Sequence, residues 1–180
     1  MSFRFPYLAL DVETTGLDRA RSHVVQLAAI YDNGGSVEKL STFNQIIRWP
    51  VITYGEWYAM TLNWGLLEKG WRDKTLPGVE DTKVLFSQFL DRVQPRGKIT
   101  VAGKNAAGFD IPILANPANG FSLDRFIRRI LDPGSMYAED FDHIPDQGEI
   151  NKALGRAAVT HDALDDCWDV VYAVRNKWNC

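Results

Sequence analysis

The chain has 180 residues, of which 46% are hydrophobic and 24% charged, with a formal net charge of -3. These values are typical of a globular protein with one sizeable core and differ from those of a basic protein that coats nucleic acid. No apolar run reaches the roughly 20 residues of a membrane helix, the first six residues do not resemble a secretion signal, and the two cysteines suggest no disulfide framework. We therefore expect a single domain over residues 1–180 and a cytoplasmic location.

The N-terminal part predicts three consecutive strands. Residues 7–12 are apolar on both alternating faces, as in a buried central strand. Residues 24–31 predict a second strand, and the Asp32-Asn33-Gly34-Gly35 turn leads to a third strand over about 37–49. Because tight connections join them, we expect the three strands to pair antiparallel.

Helices alternate with short strands in the rest of the chain. Apolar spacing near 3.6 residues predicts helices over 56–69 and 80–93 and a long final helix over 162–178. The shorter predicted elements are a strand at 99–103, a helical turn at Pro112, a helix through 125–131, a strand at 135–138 and a helix from 150. This order indicates an α/β fold with a mixed sheet and helices on both faces.

Three tryptophans, Trp57, Trp64 and Trp71, recur every seven residues in and after the first predicted helix. Trp57 and Trp64 would lie near one helix face with Met60 and Leu67, which favours core packing. Alternatively, one tryptophan stacks on a base of single-stranded nucleic acid, and Trp64 is the residue we expect in that role.

Carboxylates at three distant places in the chain suggest a metal site. Asp11 and Glu13 are two residues apart on a strand, so they point to the same face at its C-terminal end. Asp166 falls on the apolar stripe of the final helix, where a carboxylate is costly unless it binds a metal or pairs with a buried arginine. Asp110 lies at a helix start, where it could bind a cation or cap the helix.

The final helix also indicates which of its other acids are solvated. Its apolar stripe consists of Ala163, Cys167, Val170, Val171, Val174 and Trp178. The acids expected on the opposite side are Asp162, Asp165 and Asp169. His161 precedes this helix and is expected to project from a loop. Near a metal-bound acid, its imidazole could accept a proton from water.

Taken in order, these pieces resemble the DnaQ-like, or DEDD, family of 3′→5′ exonucleases, in its DEDDh subgroup. The three family motifs match residues 10–17, 102–110 and 161–166. The resemblance implies a ribonuclease H-like mixed five-stranded sheet, with three antiparallel strands followed by two parallel ones. It also implies that Asp11, Glu13, Asp110 and Asp166 hold two Mg²⁺ or Mn²⁺ ions and that His161 is the general base.

The same resemblance implies a substrate and its contacts. The residues expected to meet the terminal nucleotides are Thr14, Thr15, Gly16, Leu17, Asn63, Asn105 and Phe109. We expect hydrolysis from the 3′ end of single-stranded DNA or RNA, with DNA slightly favoured, and release of nucleoside 5′-monophosphates. A polymerase or another replication protein is a further candidate partner, and the oligomeric state is left open.

Three alternatives remain at this point. The first is an exoribonuclease or oligoribonuclease, which would recognise a ribose 2′-hydroxyl. The second is a nucleic-acid-binding or scaffold module without turnover, although the intact acids and His161 argue against a decayed site. The third is a calcium site in the acidic loop formed by Asp140, Asp142, Asp146 and Glu149, which lacks an EF-hand pattern and is interpreted as solvated.

Overall fold

The computed structural model describes residues 5–140 and 142–178. Within them, five strands form one sheet: β1 (Tyr7–Thr14), β2 (Val24–Asp32), β3 (Ser41–Ile46), β4 (Ile99–Ala102) and β5 (Phe126–Leu131). The strand order is β3-β2-β1-β4-β5, with antiparallel pairing among the first three strands and parallel pairing of β1 with β4 and β4 with β5. The expected mixed five-stranded sheet is therefore confirmed.

Seven helices accompany the sheet in the described part of the chain: α1 (Trp57–Leu62), α2 (Trp64–Arg72), α3 (Val79–Val93), α4 (Asp110–Ala115), α5 (Pro133–Tyr137), α6 (Gln147–Ala153) and α7 (Ala163–Trp178). A single 3₁₀ turn, Val37–Lys39, interrupts the region that the sequence predicted as the start of the third strand. No described helix has both the length and the apolar content needed to cross a membrane. Cys180 lies outside the described residues. So do residues 1–4, which are most of the N-terminal segment predicted not to be a secretion signal.

Helices cover both faces of the central strands, which explains why β1 and β2 are apolar on both sides. Leu8 and Leu10 of β1 enter a core with residues of α3 and α4, including Phe86. Tyr7 and Ala9 point the other way, into a second core with α7. Burying each large apolar side chain contributes roughly 1.5–3 kcal/mol. Continued alternation along β1 then directs Asp11 and Glu13 toward the α7 side of the sheet.

Two short elements differ from the prediction. Residues 126–131, predicted as a helix, form the edge strand β5 parallel to β4. Most of its middle residues are exposed because a sheet edge has one open side, and this removes the alternation that normally reveals a strand. Residues 133–137 form α5 where a strand was predicted. Asp132 caps this helix by accepting the Ser135 N–H at 3.0 Å, and Pro133 occupies its first turn.

The predicted core role of the tryptophans is wrong. The expected helix over 56–69 breaks at Asn63 into α1 and α2, so the seven-residue repeat does not form one face. Trp57 is 86% exposed, Trp64 is 51% exposed and Trp71 is 41% exposed. Trp64 and Trp71 pack against each other edge to face, with ring centroids 5.6 Å apart.

Candidate active site

Four carboxylates from three elements meet around a cavity of about 340 Å³. Asp11 and Glu13 come from the end of β1, Asp110 is the first residue of α4, and Asp166 lies in the first turn of α7. His161 lines the same cavity from the loop before α7 and is solvent-exposed. One potential ligand atom from each of Glu13, His161 and Asp166 lies within 4.8 Å of the other two.

The loop between β4 and α4 delivers Asp110 to this cavity. A Cβ at Gly103 would lie 2.7 Å from the carbonyl oxygen of Leu10, so the loop leaves β4 too close to β1 for a larger residue. Asn105 then adopts a φ of 51°, in the left-handed region. The turn ends with Asp110 Oδ1 accepting the N–H of Val12 at 3.1 Å. This bond fixes the Asp110 carboxylate against β1.

The start of α7 is fixed over the sheet by polar contacts to β2. Asp162 caps the helix, because its Oδ1 accepts the Leu164 N–H at 2.9 Å. The side chain of Gln26 in β2 accepts the Ala163 N–H at 3.2 Å and donates to Asp162 Oδ2 at 3.1 Å. Asp166 is consequently held facing the carboxylates of β1.

Among the residues that the structure describes, Asp166 forms no ion pair with an arginine, which was the alternative explanation for this carboxylate. Arg156 instead pairs with Asp169 at 2.7 Å, and Asp169 is only 7% exposed. The prediction that Asp169 lies on a solvated face is therefore wrong. Asp166 Oδ1 is buried and has no hydrogen-bond partner among the residues that the structure describes.

Burial raises the pKa of every carboxylate in the cluster. The pKa of Glu13 and that of Asp110 rise to about 7, and the pKa of Asp166 rises to about 6. Burial, followed by the charges of Asp110, Asp166 and Glu13, raises the pKa of Asp11 well above its usual range. Lys104, which lines the cavity, lowers three of these pKa values but does not offset burial. The cluster therefore carries more negative charge than its protein surroundings neutralise.

The donor set fits hard divalent cations. The four carboxylates offer only oxygen atoms, the ligands that Mg²⁺ and Mn²⁺ prefer. Asp166 Oδ1 is a buried acceptor with no partner among the described residues, as a metal ligand would be before its ion binds. Cations would also offset the burial and the mutual repulsion that raise the pKa values of these carboxylates.

The acidic loop considered as a calcium site has another explanation. The Glu149 N–H donates to Asp146 Oδ1 at 2.9 Å, and the Asp146 N–H donates to Glu149 Oε2 at 2.9 Å. This reciprocal capping box begins α6. Two of the four loop acids therefore serve a helix terminus.

Comparison with known proteins places this geometry in a recognised fold. No protein-family model matches the sequence, and no curated protein matches it significantly. Solved structures do: the nuclease domain of 3′hExo, a DEDDh family member bound to rAMP, aligns with a TM-score of 0.74 at 12% identity, covering 99% of this chain and 94% of that chain. The fold is that of the DEDDh exonucleases. The expected ribonuclease H-like fold is confirmed.

Two further solved structures share the DEDDh fold. Cell-death related nuclease 4 (CRN-4) aligns with a TM-score of 0.71 at 15% identity, covering 97% of this chain and 64% of that chain. E. coli exonuclease I in complex with a 5cy-dT13 oligonucleotide aligns with a TM-score of 0.66 at 17% identity, covering 98% of this chain and 41% of that chain. The chain thus spans less than two thirds of both of these proteins.

Only some of the residues expected to contact substrate line the cavity. The five that line the cavity are Thr14, Leu17, Asn63, Asn105 and Phe109. Thr15 and Gly16 do not line it. Thr15 is fully buried, and its hydroxyl donates to the Tyr54 carbonyl at 2.8 Å and accepts the His23 N–H at 3.0 Å. Its side chain therefore holds neighbouring loops together.

Several cavity residues received no role from the sequence. They include Tyr58, Lys104, Gln147 and Val159. Lys104 could have been found, because it stands beside Asn105 inside the second DEDDh motif. Gln147 carries no such signal, since its place in the wall depends on how α6 packs.

Proposed function

We propose that the protein is a metal-dependent 3′→5′ exonuclease that acts on single-stranded nucleic acid and releases nucleoside 5′-monophosphates. The observation that carries this proposal is the convergence of Asp11, Glu13, Asp110 and Asp166 beside His161 in one cavity. The DEDDh fold of the chain supports it, because 3′hExo and exonuclease I are nucleases with the same architecture.

Each polar residue has a distinct task in this proposal. The four carboxylates would hold two Mg²⁺ or Mn²⁺ ions. Such ions would lower the pKa of a bound water and neutralise negative charge at the phosphodiester. His161, exposed at the cavity rim, accepts the proton of the attacking water. Lys104 lines the same cavity, where its positive charge would attract a substrate phosphate toward the negatively charged carboxylates.

The apolar wall of the cavity suits one nucleotide of a single strand. A volume of about 340 Å³ lies at the lower end of the range of ligand pockets and suits a single nucleotide. Tyr58 lines the cavity although it is 76% exposed, and Leu17 lines it at 67% exposure. Exposed apolar and aromatic surfaces of this kind support base stacking, which tolerates any sequence.

A time course with 5′-labelled oligonucleotides tests the proposal. Single strands of DNA and RNA with the same sequence are incubated with Mg²⁺, with Mn²⁺ and with chelator, and Asp110→Asn serves as the inactive control. We expect a ladder that shortens from the 3′ end, only when a divalent cation is present. Internal cleavage would contradict the exonuclease proposal, and so would equal cleavage by Asp110→Asn.

The RNA alternative remains the strongest competitor. Among the similar structures, 3′hExo is bound to rAMP and exonuclease I to a DNA oligonucleotide, so the fold favours neither sugar. The two arms of the same time course decide between them. The single-domain organisation, the cytoplasmic location and a polymerase partner stay predictions of the sequence.

A further inference from the structure

Gln147 is a polar residue in the cavity wall for which the proposed reaction provides no role. It is the first residue of α6 and is only 3% exposed, yet it lines the cavity. Its Oε1 is buried and has no hydrogen-bond partner among the described residues. A buried acceptor left unpaired is costly, so a donor that enters or moves within the cavity would stabilise this oxygen.

A chain of hydrogen bonds fixes the orientation of the Gln147 amide. Arg156 can only donate, and its guanidinium gives two bonds to Asp169 Oδ1, at 2.9 and 2.7 Å. Asp169 Oδ2 accepts from Asn151 Nδ2, which turns Asn151 Oδ1 toward Gln147. Gln147 Nε2 donates to that oxygen at 2.9 Å. The amide can therefore present only its oxygen, an acceptor, to the cavity.

The same network holds the segment that carries His161. Asn151 Nδ2 also donates to the Ala157 carbonyl at 3.2 Å, and the Arg156 N–H donates to the Asn151 carbonyl at 2.8 Å. The Arg156 guanidinium lies over the Tyr172 ring, 3.9 Å from its centroid. The chain leading to His161 is thus attached to both α6 and α7.

His161 supplies a donor of the required kind. One of its ring nitrogens lies within 4.8 Å of carboxylate oxygens of Glu13 and Asp166, and the ring makes no hydrogen bond to a described residue. A neutral imidazole that accepts a proton at one nitrogen carries a hydrogen on the other, and that N–H is normally held by an acceptor. His161 adopts a φ of 56°, so its backbone is held in an uncommon conformation at the cavity rim.

We propose that Gln147 is a positioning residue for His161, whose second ring nitrogen donates its hydrogen to Gln147 Oε1. This bond selects one tautomer and leaves the nitrogen beside the carboxylates free to accept a proton. It forms when nucleotide and cations occupy the cavity and the exposed ring turns inward. Its catalytic consequence rests on the proposed exonuclease function, whereas its formation rests only on the binding of a nucleotide and cations in the cavity.

The first test separates positioning from substrate binding. Gln147→Met keeps the length of the side chain and removes the acceptor, so kcat should fall roughly tenfold while KM stays unchanged. Gln45→Met on β3, outside the cavity, controls for the exchange itself, and the melting temperature of each variant is compared with wild type. A raised KM with unchanged kcat would overturn the inference, because Oε1 would then bind the substrate.

The second test does not depend on turnover. Nitrogen-15 NMR of the histidine rings, recorded with Mg²⁺ and a nucleoside 5′-monophosphate, should show one His161 tautomer in wild type and a mixture in Gln147→Met. The same tautomer ratio in wild type and Gln147→Met would overturn the inference. An inactive wild-type protein with the expected spectra would contradict the proposed function alone.

Discussion

At the scale of single residues, Asp110 illustrates the cost of assembling this site. Burial raises its pKa to about 7, so between roughly pH 4 and pH 7 the metal-free folded protein holds a proton that the unfolded chain has released. The unfolded chain then binds fewer protons than the folded one. The contribution of Asp110 to the free energy of unfolding therefore falls as the pH rises through this window.

Asp110→Asn should remove this cost and abolish catalysis. At pH 8 without metal, we expect the variant to be more stable than wild type by up to about 4 kcal/mol, and at pH 4 we expect the two to be nearly equal. The amide oxygen can still accept the Val12 N–H, so the local structure survives. Urea unfolding at both pH values measures the difference, with the exposed Asp142→Asn as control. A variant less stable than wild type at pH 8 would contradict this prediction, because it would show that the protein stabilises the charged Asp110 carboxylate without a metal ion.

His161→Ala separates proton transfer from cation binding. Loss of a general base lowers kcat by about 10²–10⁴-fold. The four carboxylates remain, so Mg²⁺ affinity measured by calorimetry should stay close to that of wild type. Retained turnover would remove His161 from the mechanism.

The residues that the sequence revealed are those whose role follows from local position. Alternation along β1 placed Asp11 and Glu13 on one face, and helical spacing placed Asp166 on the buried stripe of α7. Gln147 and Asp169 could not be found in this way. Both are buried by the packing of α6 against α7, and no pattern in either helix records that contact.

At the scale of elements, the break between α1 and α2 determines which aromatic residues line the cavity. Tyr58 and Leu62 of α1 line the cavity, whereas Trp64 begins α2 and does not. Asn63 ends α1 beside the site, and its Nδ2 donates to the Thr14 carbonyl at 2.9 Å. The stacking role that the sequence suggested for Trp64 is therefore better placed at Tyr58.

Tyr58→Ala should weaken single-strand binding without affecting folding. Base stacking contributes roughly 1–3 kcal/mol, so we expect KM to rise by about five-fold or more. Because Tyr58 is 76% exposed, the melting temperature should not change. Trp64→Ala is the matched control from the same segment and should leave KM unchanged. The opposite pattern would return the stacking role to Trp64.

The type of an element was predicted correctly where a whole face of that element is buried. It was predicted wrongly where only part of a face is buried. β1 and β2 are buried on both faces and α7 on one, so the continuous apolar runs of the strands and the helical spacing of α7 are plain in the sequence. β5 is an edge strand with exposed arginines. Because these charged residues recur near helical spacing, the sequence predicted a helix there. α5 was marked by its Asp132 cap and by Pro133, signals that outweigh the β-like composition of so short a segment.

At the scale of the whole molecule, the sheet and α7 act as one support for the carboxylate cluster. Asp32 at the end of β2 is fully buried and pairs with Arg175 of α7 at 2.7 Å, while the Tyr7 hydroxyl donates to the same carboxylate at 2.8 Å. A buried pair of this kind costs several kcal/mol to break from one side. It ties the far end of α7 to the sheet, and Gln26 ties the near end, so Asp166 keeps its place opposite β1.

Anomalous diffraction from a crystal soaked in Mn²⁺ tests the central claim most directly. We expect two peaks in the cavity, coordinated by oxygens of Asp11, Glu13, Asp110 and Asp166, with His161 alongside. Ions of such a pair lie about 4 Å apart. The absence of both peaks at saturating Mn²⁺, or peaks coordinated by other residues, would contradict the claim that these carboxylates form a two-metal nuclease site.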